Sequence, residues 1–338
     1  MQATNSTISI ALCTYNGEAY LKTQLQSIQA QTRLPDELII CDDASTDQTI
    51  ASLRDFAAQA PFPVHIIQNA IRLGYNKNFE KALNQCRGEF IFICDQDDYW
   101  LPDKIELLST YLVDHPDVDI VFSNAVVADE ELNDTGHFFW EKVRFSESAQ
   151  QKWNSGEAIE VLLDGNRMMG CASAMRRRFL DVALPIPAIA NYIYDGWLAL
   201  VAGMKGTIHF YPKPLLIYRT HEKQQVGIRS QPAPKWVTMK DRFSREHSQK
   251  LQPFASKRQR LSDLYNLLHE RIPEESSAKA QFRRRLIHYT TRSTLPKSRL
   301  FRIVPVMQEW VSGNYKRYSD ESANWYAPYL TILGDLFE

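Results

Sequence analysis

Apolar and polar positions along the first hundred residues come in blocks whose period keeps changing. The runs ISIALCTY (8–15), ELIICDD (37–43), VHIIQN (64–69) and EFIFICD (89–95) are short, continuous and rich in β-branched or aromatic residues, which predicts buried strands. Between them, residues 19–29, 48–60 and 76–86 space their apolar positions at three and four, which predicts helices. Strand and helix in strict alternation predict right-handed β-α-β units and an α/β fold with a mainly parallel central sheet flanked by helices. Such sheets bind ligands at the carboxyl ends of their strands. Here those ends carry TYNGE, CDDASTD, NAIRLGYNKN and DQDD, so four polar loops are expected on one rim.

The pattern then loosens. VDIVFSNAVVAD (118–129) predicts a further strand, and residues 130–154 have no clear period and read as a surface insertion or lid. After them come a helix over 155–163, the small-residue segment MMGCASAM (168–175), a helix over 194–202, and short strands at GTIHFYP (206–212) and PLLIYR (214–219). Beyond residue 230 the spacing is helical, with 257–270 and 278–291 the clearest helices. The predicted domains are therefore 1–229, with a first half to about 125 and a second half from about 126, and a mostly helical 230–338.

Composition adds two facts. The 338 residues are 44% hydrophobic and 23% charged, enough for a sizeable core, and no apolar run reaches the length of a membrane span. The N-terminus lacks the basic start and apolar stretch of a signal peptide, so a cytoplasmic location is expected. Five cysteines all lie in the first 171 residues, inside or beside apolar runs, and read as reduced core residues. The net charge of −1 hides a polarity: residues 230–302 hold 17 Lys or Arg against 6 Asp or Glu. That segment is expected either to dock peripherally on an anionic membrane surface or to form solvated helices.

The acidic loops carry the chemistry. Ser45 or Asp47 can cap the helix after CDDASTD, but a cap does not explain Asp42 beside Asp43, which together can read a ribose or a base N–H. In DQDD, three crowded carboxylates, Asp95, Asp97 and Asp98, repel one another unless a cation offsets them. Oxygen ligands of this kind suit Mg²⁺ or Mn²⁺ together with a substrate's phosphates. A nucleoside diphosphate bound through a metal would satisfy both loops. Other nucleotide chemistries fit less well: Tyr99 stands where a dehalogenase-like phosphatase has a small residue, and the loop after the first strand has neither a basic Gly-rich sequence nor G-x-G-x-x-G. No nucleic-acid motif accompanies the basic tail.

These residues resemble the family 2 glycosyltransferases of GT-A fold, through ISIALCTYNGEAYLKTQLQSIQAQTRLPDELIICDDASTDQT, NKNFEKAL, FIFICDQDDYWLPDKI, YDGWLALVA and PLLIYRTH, over roughly residues 7–228. The tail NYKRYSDESANWYAPYLTILGDLF resembles a bacterial rhamnosyltransferase branch. The resemblance implies a GT-A catalytic domain with a C-terminal helical extension. Asp43 with Asp42 would recognise the nucleoside, in a pocket lined by Thr14, Asn16 and Glu18. Asp95 and Asp97 would be the Asp-x-Asp pair, Asp97 on the metal and Asp95 nearer the ribose or sugar, with His221 completing the metal or diphosphate site. Asp195 would be the catalytic base; its neighbour Tyr194 departs from the family's usual Glu. Gly170, with Cys171, Ala172 and Ser173, would let the backbone approach the donor sugar, and Asn76 and Asn78 would start a helix facing the site. Asp98 has two open roles, donor contact and cap of the next helix. The implied activity is inverting, metal-dependent sugar transfer from a nucleotide-sugar donor, dTDP-L-rhamnose first and UDP-hexoses next, to a saccharide acceptor on a polyprenyl-diphosphate carrier at the inner face of a bacterial membrane. A non-catalytic sugar-nucleotide binding protein is the alternative from another class.

Overall fold

The computed structural model describes residues 6–189, 192–224, 246–319 and 324–337. The chain divides into two compact units, Met1–Arg229 and Ser230–Glu338. The boundary itself, near residue 230, lies outside the described residues, as does the first part of the basic segment.

In the first unit the predicted alternation appears as β1 (Ile8–Thr14), α1 (Leu21–Gln29), β2 (Glu37–Asp42), α2 (Thr49–Ala57), β3 (Val64–Gln68), α3 (Tyr75–Gln85) and β4 (Phe90–Cys94). β1 and β4 are buried at every position, which is why their sequences are continuous apolar runs and not alternations. Next come β5 (Tyr99–Trp100), α4 (Lys104–Asp114), β6 (Ile120–Ala128) and β7 (Asp134–Phe138). The unit continues with α5 (Phe139–Lys142), α6 (Glu147–Lys152), α7 (Ala158–Asp164), β8 (Ser173–Arg176), α8 (Leu180–Ala183), α9 (Tyr194–Lys205) and β9 (Ile208–Arg219).

The nine strands among the described residues form one sheet in the order β3-β2-β1-β4-β8-β6-β9-β5, with β7 also on β6. β3, β2, β1 and β4 run parallel, and β8 runs antiparallel between β4 and β6. The architecture is the expected GT-A type: a mixed, mostly parallel sheet flanked by helices. Register fixes the rim. Thr14 sits beside Asp42, and Leu12 beside Cys94, so the loops after β1, β2 and β4 leave the sheet side by side.

Two expectations need correction. Residues 130–154 are more than a surface insertion or lid: 130–138 is largely exposed, but Trp140 and Trp153 pack edge-to-face on Phe122 of β6 and Phe210 of β9, and Phe145 edge-to-face on Phe210, with ring centroids 5.2–6.5 Å apart. Irregular spacing hid this because each aromatic comes from a different short element. The two short strands expected at 206–219 are one strand, β9, which runs through Pro212 and Pro214; the missing N–H groups are absorbed by shifts in its parallel register with β6. All five cysteines are buried and free, as expected.

The second unit is helical: α10 (His247–Arg271), α11 (Ser277–Ser293), α12 (Arg299–Val311), α13 (Asn314–Arg317) and α14 (Ala327–Phe337). Among the described residues no helix is long and apolar enough to cross a membrane.

Candidate functional site

The first two loops are stitched to each other. Thr14 Oγ1 donates to Asp42 Oδ2 (2.8 Å), Asn16 Oδ1 accepts from the Thr46 N–H (2.9 Å), and Glu18 Oε2 accepts from the Gln48 N–H (2.8 Å). The helix α2 is not capped by Ser45; Asp47 Oδ1 instead accepts from the Thr49 N–H (3.0 Å). Asp42 also accepts from the Ser45 N–H (2.9 Å). Asp43 reaches across to the third loop, where its two oxygens accept from the Leu73 N–H (2.6 Å) and the Gly74 N–H (2.8 Å). Both aspartates are buried, and their hydrogen bonds hold these loops in place. Asn78 is likewise buried, and its amide is taken at both ends, by the Cys41 carbonyl (2.8 Å) and the Asn69 amide (2.9 Å).

The DQDD turn is built differently. Gln96, the residue between the two aspartates, grips the first loop by accepting from the Tyr15 N–H (2.8 Å) and donating to the Tyr15 carbonyl (3.1 Å). Gly17 lies against it; a Cβ there would stand 2.3 Å from the Gln96 amide oxygen. Asp97 Oδ2 lies 2.9 Å from His221 Nε2, and the His221 ring packs tilted against Tyr20 with centroids 4.3 Å apart. Arg219, two residues before His221, braces the turn: its Nε donates to the Asp97 carbonyl (2.8 Å) and its N–H to Asp98 Oδ1 (3.3 Å). Asp98 is therefore inside the turn, and α4 begins after Asp103, so Asp98 does not cap it.

Carboxylate and thiol atoms of Asp95, Asp98 and Cys171 lie within 4.8 Å of one another. Asp95 groups with Asp98 and Cys171, while Asp97, paired with His221, is close enough for its charge to act on both aspartates. Burial and then the charge of Asp97 push Asp95 up to about 7, and the same two causes raise Asp98 well above the usual carboxylate range. Beneath them is Lys104, buried, with its ammonium donating to the Cys171 carbonyl and lying 3.5 Å over the Trp100 ring; burial lowers it to about 8. His221 Nδ1 is buried and has no hydrogen-bond partner among the described residues. Such an oxygen-rich, crowded set fits a hard divalent cation, whereas the Cys171 thiol, raised well above its usual value by burial, is a poor ligand.

Asp195 lies in the first turn of α9. Its Oδ2 accepts from the Gly170 N–H (3.2 Å) and its Oδ1 from the Gly196 N–H (2.6 Å), while burial pushes it up to about 6. The helix start is held from another element, since Asn76 Oδ1 accepts from the Tyr194 N–H (2.7 Å) and Asn76 Nδ2 donates to the Tyr192 carbonyl (3.1 Å). Gly170 is small for a reason the sequence does not show: a Cβ there would meet the Tyr194 hydroxyl at 2.2 Å. Tyr194 itself stacks on Phe79 (4.0 Å) and is buried, so it packs below the site. Gly170 and Cys171 are adjacent in the chain and tie Asp195 to the acidic cluster. Sequence reasoning passed over Gln96, Lys104, Arg219 and the Arg72 guanidinium, which lies 3.9 Å over the Tyr15 ring. The signal for Gln96, Lys104 and Arg219 was present, because all three stand inside the motifs FIFICDQDDYWLPDKI and PLLIYRTH.

The family described as Glycosyl transferase family 2 matches residues 9–182 of this chain. An uncharacterized protein of Mycobacterium tuberculosis is 29% identical over 218 residues, 63% of this chain and 59% of that protein. The chain thus spans less than two thirds of that relative's length. A dTDP-rhamnosyl transferase of Shigella flexneri is 35% identical over 99 residues, covering 28% of this chain and 34% of that one. Among solved structures, S. aureus TarS 1-349 in complex with UDP-GlcNAc superposes with a TM-score of 0.52 at 15% identity, covering 92% of this chain and 89% of that one. The Pyrobaculum calidifontis mannosyltransferase in complex with GDP-Man and Mn²⁺ superposes with a TM-score of 0.50 at 14% identity, covering 98% and 86%.

Proposed function

The chain belongs to glycosyl transferase family 2, and from that membership we propose that it transfers a sugar, with inversion, from a nucleoside-diphosphate donor to a hydroxyl of a bacterial polysaccharide precursor. One observation carries the reading: the Gly170-Cys171 segment holds a raised, hydrogen-bonded carboxylate, Asp195, beside the Asp95–Asp98 cluster at the end of β4. A base and an anion-diphosphate anchor are the two parts such a displacement needs.

Asp195 takes the proton of the attacking hydroxyl. The Gly170 and Gly196 N–H groups orient its oxygens, and Asn76 fixes the start of its helix. A divalent cation held by Asp95, Asp97 and His221, Mg²⁺ or Mn²⁺, would offset the charge developing on the departing diphosphate. Asp42 and Asp43, with Thr14, Asn16 and Glu18, shape the nucleoside pocket chiefly by setting its loops, and Tyr15 with Arg72 supplies a flat cationic wall. The stretch shared with the dTDP-rhamnosyl transferase supports dTDP-L-rhamnose as the donor. The acceptor in this reading is carried on a polyprenyl diphosphate.

The test is a panel of sugar nucleotides, dTDP-L-rhamnose and UDP-hexoses included, incubated with Mn²⁺ or Mg²⁺ and scored for released nucleoside diphosphate. Turnover of one donor names the substrate. A folded chain that binds and hydrolyses none of them defeats the proposal.

A further inference from the structure

The α12–α14 part of the second unit is built inside out. Helix α12 turns Arg302 and Glu309 inward: Glu309 Oε2 lies 2.6 Å from His288 Nδ1 and accepts from Asn314 Nδ2 (2.9 Å), and Arg302 Nε donates to the Pro296 carbonyl (2.6 Å). Helix α14, packed on α12, does the same with Asp335, which accepts from Arg292 Nε and the Tyr315 hydroxyl, both at 2.7 Å. The apolar interior here is small, a cluster of Leu295, Val306, Tyr315 and Ile332. Outward, α12 presents Leu300 (76% exposed), Phe301 (73%), Val304, Trp310 and Val311 (83%). At the helical rotation of 100° per residue these lie on one half of the helix, opposite Arg302 and Glu309. Trp325 (83% exposed), Tyr329, Leu330 and Leu333 extend the same character along and just before α14.

Charge identifies the occupant. The exposed charged residues within 297–319 are Lys297, Arg299, Lys316 and Arg317, and within 324–337 there are none. Glu309 and Asp335, the carboxylates of those two stretches, are both buried. Asp320, Glu321 and Glu338 lie outside the described residues. A second copy of this face would set cations against cations, whereas an anionic lipid surface offers both an apolar layer and the opposite charge. Trp and Tyr at the edge of an apolar face flanked by Lys and Arg match the boundary between headgroups and acyl chains.

We propose that the α12–α14 face docks on an anionic bilayer, with Leu300, Phe301, Trp310 and Trp325 entering the interface and Lys297, Arg299, Lys316 and Arg317 facing the headgroups. This places the contact at the C-terminal end of the 230–302 segment expected from sequence and beyond it; within that segment Lys279, Arg285, Arg292 and Arg302 are buried in the helical unit. It deepens the proposed use of a lipid-carried acceptor but does not depend on the transfer reaction.

The test is flotation of the full-length chain with vesicles of phosphatidylglycerol and phosphatidylcholine, against phosphatidylcholine alone, with Trp emission recorded in parallel. Binding is expected to be at least about tenfold stronger to the anionic vesicles and to weaken with salt. Leu300→Glu/Val304→Glu should reduce it at least about tenfold while hydrolysis of a soluble donor continues. Should that variant fail to fold, Trp325→Ser/Leu330→Ser addresses the same face with smaller changes. Unchanged flotation in the folded variants overturns the proposal. So does a concentration-dependent dimer, seen by sedimentation, that these substitutions abolish while the wild-type chain ignores vesicles. Loss of donor hydrolysis with flotation intact would count against the transferase reading alone.

Discussion

Asp195 is placed to be charged at neutral pH yet still bind a proton. Burial lifts it to about 6, so it is an ionised base above that value and a poor one below it. Transfer, measured as kcat/KM at saturating metal, is expected to fall as pH drops through about 6. Asp195→Asn should lose about 10²- to 10⁴-fold in turnover. The same substitution should not lower the melting temperature at about pH 8, because it removes a carboxylate whose charged form is costly to bury. A variant that turns over normally would end the case for Asp195 as base. Gln96 acts one step removed from the chemistry. Gln96→Ala leaves the Tyr15 N–H and carbonyl without their partner, at a cost of about 1–3 kcal/mol. Donor KM is expected to rise several-fold, with kcat changed less. Equal KM in both proteins would show that the Tyr15 loop does not form part of the donor pocket.

At the level of elements, the meeting of the 170–176 segment with α9 sets the site, and packing there can be tested apart from catalysis. Gly170→Ala drives a methyl into the Tyr194 hydroxyl, for a loss of about 1–3 kcal/mol. Gly170→Ala/Tyr194→Phe should recover part of it, since the 2.2 Å contact goes while ring atoms at 2.8 Å remain. Identical melting temperatures for the single and double variants would place the clash elsewhere. This contact also marks the limit of what the chain discloses on its own. The four parallel strands, their order of polar loops and the Asp-x-Asp turn were legible, because each is local: a short apolar run followed by a cluster of acceptors. His221 beside Asp97 was legible only through a motif. Gly170 against Tyr194, Asn76 under α9 and Lys104 under Cys171 were not, because each joins residues 24 to 118 positions apart through a sheet order that no local pattern specifies. Asp42, Asp43 and Asn78 illustrate the converse. Their residue types suggested ligand contact, but the buried loops they hold together use most of their hydrogen-bonding capacity first.

Across the whole molecule, the two units should respond to acid in opposite ways. In the first, the raised value of Asp195 means the folded chain holds that proton more tightly than the unfolded chain. Its contribution to stability is present below the ordinary carboxylate range and is lost as pH rises through about 6. In the second, burial lowers His288, and Glu309 is lowered because its hydrogen bonds to His288 and Asn314 outweigh its own burial. The unfolded chain therefore takes up these protons first, and stability is lost as pH falls through the ordinary histidine value and then the glutamate one. Calorimetry of the full chain is expected to resolve two transitions. Between about pH 7.5 and pH 5, one should move down while the other holds or rises. His288→Gln should flatten the histidine part of that fall, because the amide can still face Glu309 but does not titrate. A single transition that shifts uniformly with pH would mean that the ionic interior of the helical unit does not govern its stability, and the inside-out arrangement would then need an external surface to hold it together.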